Sequence, residues 1–328
     1  MDIYPHITSY LVQVETNIES ELAKEDPRTY GMLAPFIKRG GKRIRPALMF
    51  LSCGACGGKY ESVLQPSVIL ELFHNFTLIH DDIEDDSQFR RGEPTLHISH
   101  GLPMALNSGD ALYTLLWKKL IFLETKPSTL LKLQKLYSTA FKRVVDGQGI
   151  ELSWIRAGRF DISEKEYIEM ISGKTSALLS LSCEVGGLLA GAPKRVRNAL
   201  YDYGEKIGAA FQIQDDILNL VGDFDNYKKE IGGNISEGKR TLMVVHCLSK
   251  ANKTDRLRLT HIVSSHTKKQ EEILEAIEII KKYGSIEYAR SYSQKLVDKA
   301  KKKLSILPES EDKKALLSLA DYVVNRQR

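Results

Sequence analysis

Two short runs of acids carry most of the chemistry that this sequence can do. The first is Leu78-Ile79-His80-Asp81-Asp82-Ile83-Glu84-Asp85-Asp86, and the second is Phe211-Gln212-Ile213-Gln214-Asp215-Asp216-Ile217-Leu218-Asn219. Each follows an apolar stretch of helical character. In the first, Ile69, Leu72, Phe73, Phe76, Ile79 and Ile83 recur at intervals of three and four. On a helix Asp81 and Asp85 are neighbours on one face, as are Asp215 and Asn219. Like charges at that spacing repel, and a protein that places them beside an apolar helix face offsets the repulsion with a cation. Hard oxygen ligands suit Mg2+, which keeps several waters and is held by a few carboxylates together with substrate phosphates. One Asp-Asp pair alone reads more simply as a solvated helix end. Two pairs, each directly after an apolar run, point to a shared metal site whose ligand is a diphosphate.

Cations should then converge on the same chemistry, and compact groups of them are present. Gly40-Gly41-Lys42-Arg43-Ile44-Arg45-Pro46 places three basic residues behind a glycine pair, where a loop or helix start can reach phosphate oxygens. Arg90-Arg91-Gly92 follows the first acid run, and Lys174-Thr175, Lys229 and Gly238-Lys239-Arg240-Thr241 come later. Any one of these groups is an ordinary solvated surface; their combination in order is not.

The elements that must position these residues read as helices throughout. No proline lies between Pro127 and Pro193 or between Pro193 and Pro308, and those stretches are rich in Leu, Ile, Ala, Glu and Lys. Ser163 and Glu166 have capping-box spacing ahead of Tyr167, Ile168, Met170 and Ile171. Pro66 stands just ahead of the apolar run from Ile69 to Ile83, and glycine pairs such as Gly186-Gly187 and Gly232-Gly233 mark turns or tight contacts. There is no alternating strand series, no repeat and no linker. The expectation is a single all-α domain spanning residues 1–328, folded around a cavity.

Composition narrows the function classes. Of the 328 residues, 42% are hydrophobic and 27% charged, which is globular rather than disordered. The net charge of +5 is mild, and the lysines of the last third, such as Lys299 and Lys301 to Lys303, read as solvated helix faces with no nucleic-acid motif beside them. Cys53 and Cys56 form a lone C-x-x-C without the second pair that a zinc site needs, so reduced thiols are expected at all four cysteines. With no leader-like start and no long uncharged apolar segment, the reading is a cytoplasmic protein without an integral membrane segment.

Taken in order, G-G-K-R-I-R-P, H-N-F-T-L-I-H-D-D-I-E-D, R-R-G, G-D-A-L, G-Q, G-K-T, F-Q-I-Q-D-D-I-L and G-K-R-T resemble the polyprenyl synthetase family over essentially the whole chain. The resemblance implies an isoprenoid synthase-type helical bundle around a central cavity, a homodimer, and a trans-prenyltransferase that joins isopentenyl diphosphate to an allylic diphosphate. It further implies that Asp81, Asp82 and Asp85, with Asp215, Asp216 and Asn219, hold three Mg2+ ions, for which Mn2+ can substitute. Lys42, Arg45, His74 and Arg91 would bind isopentenyl diphosphate. Arg90, Lys174, Thr175, Gln212, Lys229 and Lys239 would face the allylic diphosphate. Asn219 stands where the family pattern carries a final acid, which weakens the expected metal or water contact there.

Product length follows the same helix. Phe76 lies five residues before Asp81, about 7.5 Å along the axis, with Phe73 on nearly the same side. Both read equally as core residues or as the floor of a hydrocarbon pocket. In the resembled family, Phe76 followed by the small Thr77 is the pattern of archaeal-type geranylgeranyl diphosphate synthases; a farnesyl or farnesylgeranyl product is the alternative. His80-Asp81 could instead belong to a helical metal-dependent phosphohydrolase, but the second acid run and the arginines would then have no role. A terpene cyclase would not need a second diphosphate site. A non-catalytic partner subunit, which would typically lose acids from the motifs, is the competing reading outside enzymes.

Overall fold

The computed structural model describes residues 4–221 and 232–326, and their architecture is helical. In chain order the helices are α1 (Thr8–Leu22), α2 (Pro27–Tyr30), α3 (Leu33–Lys38), α4 (Ile44–Gly54) and α5 (Glu61–Glu84). After a two-stranded hairpin, β1 (Phe89–Arg90) and β2 (Glu93–Pro94), come α6 (Leu96–His100), α7 (Leu102–Ile121), α8 (Pro127–Arg156) and α9 (Glu164–Ile171). A π-helical segment, Ser172–Ser176, leads into α10 (Ala177–Leu189) and α11 (Lys194–Val221). The remainder is α12 (Gly233–Ser236), α13 (Leu242–Lys250), α14 (Lys253–Ser264), α15 (Gln270–Lys282), α16 (Ser285–Lys303) and α17 (Glu311–Asn325). None of the described helices is long and apolar enough to cross a membrane.

The chain forms two compact units. One comprises Met1–Ser138, Leu181–Leu200 and Ile306–Leu316; the other comprises Thr139–Ser180, Tyr201–Ser305 and Leu317–Arg328.

In the first unit α5 packs on α1, α4 and α7. Its buried residues include Ile69, Leu72 and Phe73, and those of α7 include Leu112 and Leu116. Pro66, just ahead of the apolar run, lies inside α5. The intrahelical bond that it removes is the one to the carbonyl of Ser62, an exposed residue where water can take the donor's place. Pro66's own carbonyl accepts from Tyr137 Oη at 2.6 Å.

The hairpin is the departure from an all-helical expectation, and it is too short to carry an alternating pattern. Its central residues Arg91 and Gly92 both have positive φ, 56° and 82°, as the tightest hairpin turns require. Among the three cations of the G-G-K-R-I-R loop, Arg43 faces inward. Held at φ 47°, it donates to Glu15 Oε1 at 2.7 Å, to buried Glu71 Oε1 at 2.8 Å and to the Ile37 carbonyl at 3.0 Å.

The second unit has its own apolar core. Tyr167, Met170 and Ile171 of α9 and Ile213 and Ile217 of α11 meet α13 to α16 through Leu242, Ile262, Ile277 and Ala289. The expected capping box starts α9: Ser163 Oγ accepts from Glu166 N–H, and Glu166 Oε2 accepts from Ser163 N–H. The four cysteines are free thiols, with Cys53, Cys183 and Cys247 buried.

The Arg43–Glu71 pair is buried on both sides, so removing one partner leaves an uncompensated charge. Glu71→Ala is expected to lower unfolding free energy by about 3 to 5 kcal/mol, read from the urea midpoint. A loss under about 1 kcal/mol would mean that Glu15 alone satisfies Arg43.

Candidate active site

The first acid run closes α5. Asp86 takes φ 51° just past the helix, Ser87 N–H donates to the Asp82 carbonyl at 2.9 Å and Asp86 N–H to the Ile83 carbonyl at 3.3 Å. That is a Schellman ending, with aspartate where glycine is usual. Asp81, Asp82, Glu84, Asp85 and Asp86 therefore crowd the end of the helix that the backbone dipole makes negative. Asp81 and Asp85 are only partly buried, whereas Asp82 is 1% exposed. Asp82 Oδ1 accepts from Arg90 Nε at 2.6 Å, and Arg90 Nη2 lies 3.5 Å from Asp81 Oδ2. Arg90, expected to face the allylic diphosphate, is thus tied to the acid run itself. Asp82, expected as a metal ligand alongside Asp81 and Asp85, is turned inward as the anchor for that arginine.

Arg91, at the hairpin tip, donates to the carbonyl of Gly40. A side chain at Gly41 would meet its guanidinium at 2.9 Å, so the glycine pair lets the tip dock. The docking brings Arg91 toward Arg43, Arg45 and His74. Arg45 Nη1 lies 3.2 Å from His74 Nε2. Burial and the neighbouring Arg45, Arg91, Arg90 and Arg43 hold the His74 imidazole well below its ordinary range, so it is neutral and accepts from Arg45. Burial, with Arg43 and Arg90, also pulls the Arg91 guanidinium down from its usual value. Such a gathering of cations around a neutral histidine suits an anion. Lys42 is exposed on the same loop.

In the second unit Thr175, Gln212 and Asp216 form one hydrogen-bonded chain, with Lys174 held beside it by Glu151. Lys174 and Thr175 sit in the π-helical segment, a deviation that concentrates at functional sites. Lys174 Nζ pairs with Glu151 Oε2 at 2.6 Å, and Thr175 Oγ1 donates to Gln212 Oε1 at 2.7 Å. Gln212 Nε2 in turn donates to Asp216 Oδ1 at 3.0 Å. Asp216 also accepts from Tyr167 Oη at 2.8 Å and from Asn234 Nδ2 at 3.2 Å. Burial pushes its carboxyl up to about 7, despite the hydrogen bonds from Tyr167 and Gln212. A side chain at Gly147 would fall 2.2 Å from the Lys174 nitrogen, so only glycine allows α8 to approach the segment this closely.

Asp215 and Asn219, four residues apart on α11, each have a partner from later in the chain. Asp215 Oδ1 pairs with Arg326 Nη2 at 2.6 Å, and that guanidinium lies 3.9 Å from the Phe211 ring centroid. Asn219 Oδ1 accepts from Asn234 N–H at 2.9 Å, and its carbonyl accepts from Gly232 N–H at 2.8 Å. Its amide oxygen, expected at a metal or its water, is used to clasp the start of α12. Lys239 pairs with Glu237 at 2.6 Å, and Lys229 lies outside the described residues. Glu151, Tyr167, Asn234 and Arg326 were missed by the sequence reading. Glu151 lies on the helix of the G-Q motif between Ile150 and Leu152, and nothing in that spacing names its partner Lys174, twenty-three residues on.

The hydrocarbon floor residues form an aromatic cluster. Phe73, fully buried, lies 5.4 Å from Phe76 between ring centroids, and Phe76 lies 4.5 Å from His80. Tyr113 of α7, also unforeseen, stands 5.1 Å from Phe76. Thr77 Oγ1 donates to the His74 carbonyl at 2.8 Å, which satisfies the hydroxyl within its own helix.

Can these residues hold Mg2+? The acid donors are all oxygen, as Mg2+ demands. Among the described residues, no three Asp, Glu, His or Cys side chains form a ready cage. That fits an ion held by one or two carboxylates together with substrate phosphates, so the donor chemistry is suitable.

An all-α fold with acid clusters at helix ends, cations gathered beside one of them and an aromatic cluster on the same helix defines a class of helical enzyme that handles diphosphates of apolar molecules. Residues 26–280 match the family described as Polyprenyl synthetase, and the chain belongs to that family, whose members are trans-prenyltransferases and generally depend on Mg2+. It is 37% identical to the short chain isoprenyl diphosphate synthase of Methanothermobacter thermautotrophicus, over 100% of this chain and 99% of that protein. It is 34% identical to the geranylgeranyl diphosphate synthase of Sulfolobus acidocaldarius, over 95% and 94%. The crystal structure of geranylgeranyl pyrophosphate synthetase from Pyrococcus horikoshii superposes with a TM-score of 0.92 at 33% identity, covering 99% of this chain and 98% of that one. The fold is that of the isoprenoid synthases.

Neutral His74 makes a testable contribution to stability. Its folded value lies below the unfolded one of about 6.5, so the unfolded state takes up the extra proton as the medium is acidified. The stabilisation is complete above about pH 6.5 and is lost as the pH falls below it, by at most about 1.4 kcal/mol per pH unit. Urea unfolding from pH 7.5 to 5 should show a shallower acid decline in His74→Asn than in the wild type. Parallel curves would place a charged imidazole in the fold.

Proposed function

We propose that this chain condenses isopentenyl diphosphate with dimethylallyl, geranyl and farnesyl diphosphates in the trans configuration, and that its main product is geranylgeranyl diphosphate. The observation that carries this reading is the joint presence, along the C-terminal half of α5, of an oxygen-only acid cluster and a cluster of arginines around neutral His74. One suits a metal–diphosphate; the other suits a second diphosphate. The names of the curated relatives support the product. The enzyme acts as a cytoplasmic homodimer, with residues 1–328 as one catalytic domain.

Asp81, Asp85 and Asp215 hold the Mg2+ ions, three in all, with Asp82 and Asp216 as buried supports for the residues around them. Bound Mg2+ supplies charge stabilisation for the departing diphosphate. Lys42, Arg45, Arg91 and His74 bind isopentenyl diphosphate. Lys174, Thr175, Gln212, Lys229 and Lys239 bind the allylic partner, and Arg90 orients Asp81 and Asp82. As the allylic carbon–oxygen bond breaks, the Thr175 hydroxyl and the Gln212 amide present dipoles to the cation without offering a strong nucleophile. The double bond of isopentenyl diphosphate then attacks, and the proton lost from the adduct passes to the departed diphosphate. Water must be kept out while the cation exists, and the Phe73–Phe76–Tyr113 aromatics provide an apolar wall for the tail.

Incubation of purified protein with Mg2+, isopentenyl diphosphate and each allylic starter, followed by mass analysis of the dephosphorylated products, tests this reading. Geranylgeraniol is expected; farnesol alone would correct the product, and no condensation would favour a non-catalytic subunit.

In the same assay Asp81→Ala and Asp215→Ala should each lower kcat by at least about 100-fold. Near-wild-type turnover in either would remove that carboxylate from the metal site. Phe76→Ala should lengthen the product beyond geranylgeranyl diphosphate, Phe73→Ala with Phe76→Ala should lengthen it further, and Thr77→Phe should shift it toward farnesyl diphosphate. If the aromatics are ordinary core, product length stays fixed while stability falls by about 3 to 5 kcal/mol per truncated phenylalanine.

A further inference from the structure

The π-helical segment Ser172–Ser176 owes its form to groups outside the motifs. The Ser172 carbonyl accepts from Ala177 N–H five residues on, the signature of the wider turn. The same carbonyl accepts from Arg143 Nη2 at 3.2 Å, and Ser172 Oγ lies 2.8 Å from that nitrogen. Arg143, on α8, also donates through Nη1 to Glu205 Oε1 at 2.7 Å and to Tyr201 Oη at 2.5 Å, both on α11. Glu205 closes the circuit: its two oxygens accept from Ser172 Oγ and Ser180 Oγ, each at 2.7 Å. Ser180 Oγ lies 2.9 Å from the Ser176 carbonyl at the far end of the segment. One ion pair thus grips the start of the wide turn that carries Lys174 and Thr175, and the serine that bonds its carboxylate lies beside the far end. Packing adds to the grip, since a side chain at Gly173 would fall 2.7 Å from the Arg143 carbonyl and one at Gly208 would fall 2.5 Å from the Ser176 Cα.

We propose that Arg143 and Glu205, with Ser172 between them, are positioning residues that hold the wide turn in register, so that Lys174 and Thr175 meet the allylic diphosphate. This rests on the reading above that Lys174 and Thr175 contact that substrate. A lysine at 143 would keep the charge but has no planar fork with which to reach the Ser172 carbonyl and Glu205 together. Arg143 is only partly exposed and lies on a helix separate from the acid runs, so nothing in its sequence surroundings distinguishes it from a solvated helix arginine.

Steady-state kinetics and melting temperatures of Arg143→Met, Arg143→Lys, Ser172→Ala and Lys174→Ala test the proposal. Arg143→Met should raise the allylic Michaelis constant by about tenfold and leave that for isopentenyl diphosphate within about twofold, with Arg143→Lys in between. Combining Arg143→Met with Lys174→Ala should fall short of the product of the single effects by at least about threefold, because one substitution acts through the other. A lower melting temperature with both Michaelis constants unchanged would make the network merely structural and overturn the proposal. If Arg143→Met does not fold, Ser172→Ala, which deletes only a hydroxyl bonded to both charged partners, carries the same expectation at about threefold. An unchanged allylic constant in Lys174→Ala would overturn the underlying reading of that lysine, and the positioning role with it. A rise there with no change in Arg143→Met and Ser172→Ala would overturn the positioning role alone.

Discussion

Carboxylates crowded at the negative end of a helix are the constraint on which this structure turns. Asp81, Asp82, Glu84, Asp85 and Asp86 repel one another, and the α5 dipole opposes all of them. Folding alone gains nothing from such an arrangement, so cations must offset it. Arg90 does so from the hairpin by bonding to Asp82, and the Schellman turn at Asp86 fixes where the acids lie. Asp81 and Asp85 remain partly exposed. Mg2+ dependence is general in the family, and a divalent ion at this helix end would meet the same electrostatic need.

Both units put ordinary packing devices to work in placing polar groups. In the first, the Arg91-Gly92 turn and the bare backbone at Gly41 let an arginine dock against a loop already held by buried Arg43. In the second, Gly147 admits α8 to the backbone of a wide helical turn, and Asp216 is fixed by Tyr167, Gln212 and Asn234. These supports sit on well-packed helices, which suits groups that must keep their geometry while charge moves.

Helical character, the Ser163–Glu166 capping box and the two acid runs were legible because they depend on local spacing. The inward turn of Asp82 was not, since neighbouring positions on a helix point about 100° apart and only the tertiary setting decides which faces water. Arg43 and Arg45 look alike in the loop, yet one is spent on Glu15 and Glu71 while the other meets His74. Asn219 was read as a weakened ligand because its position in the motif was clear and its bond to Asn234, fifteen residues on, was not. Tyr113, Glu151 and Arg326 reach their partners only through long-range packing, and Pro66 did not mark where α5 begins because a proline near an exposed helix start costs only a bond that water replaces.

The central claim is that the acid runs bind an allylic diphosphate only in company with a divalent ion. Calorimetric titration of farnesyl diphosphate into the wild-type protein without isopentenyl diphosphate, once in Mg2+ and once in EDTA, addresses it directly. Affinity at least about 100-fold weaker in EDTA is expected, because the carboxylates would then face the diphosphate as like charges. Equal affinity in the two buffers would contradict the claim and assign diphosphate binding to the basic residues alone.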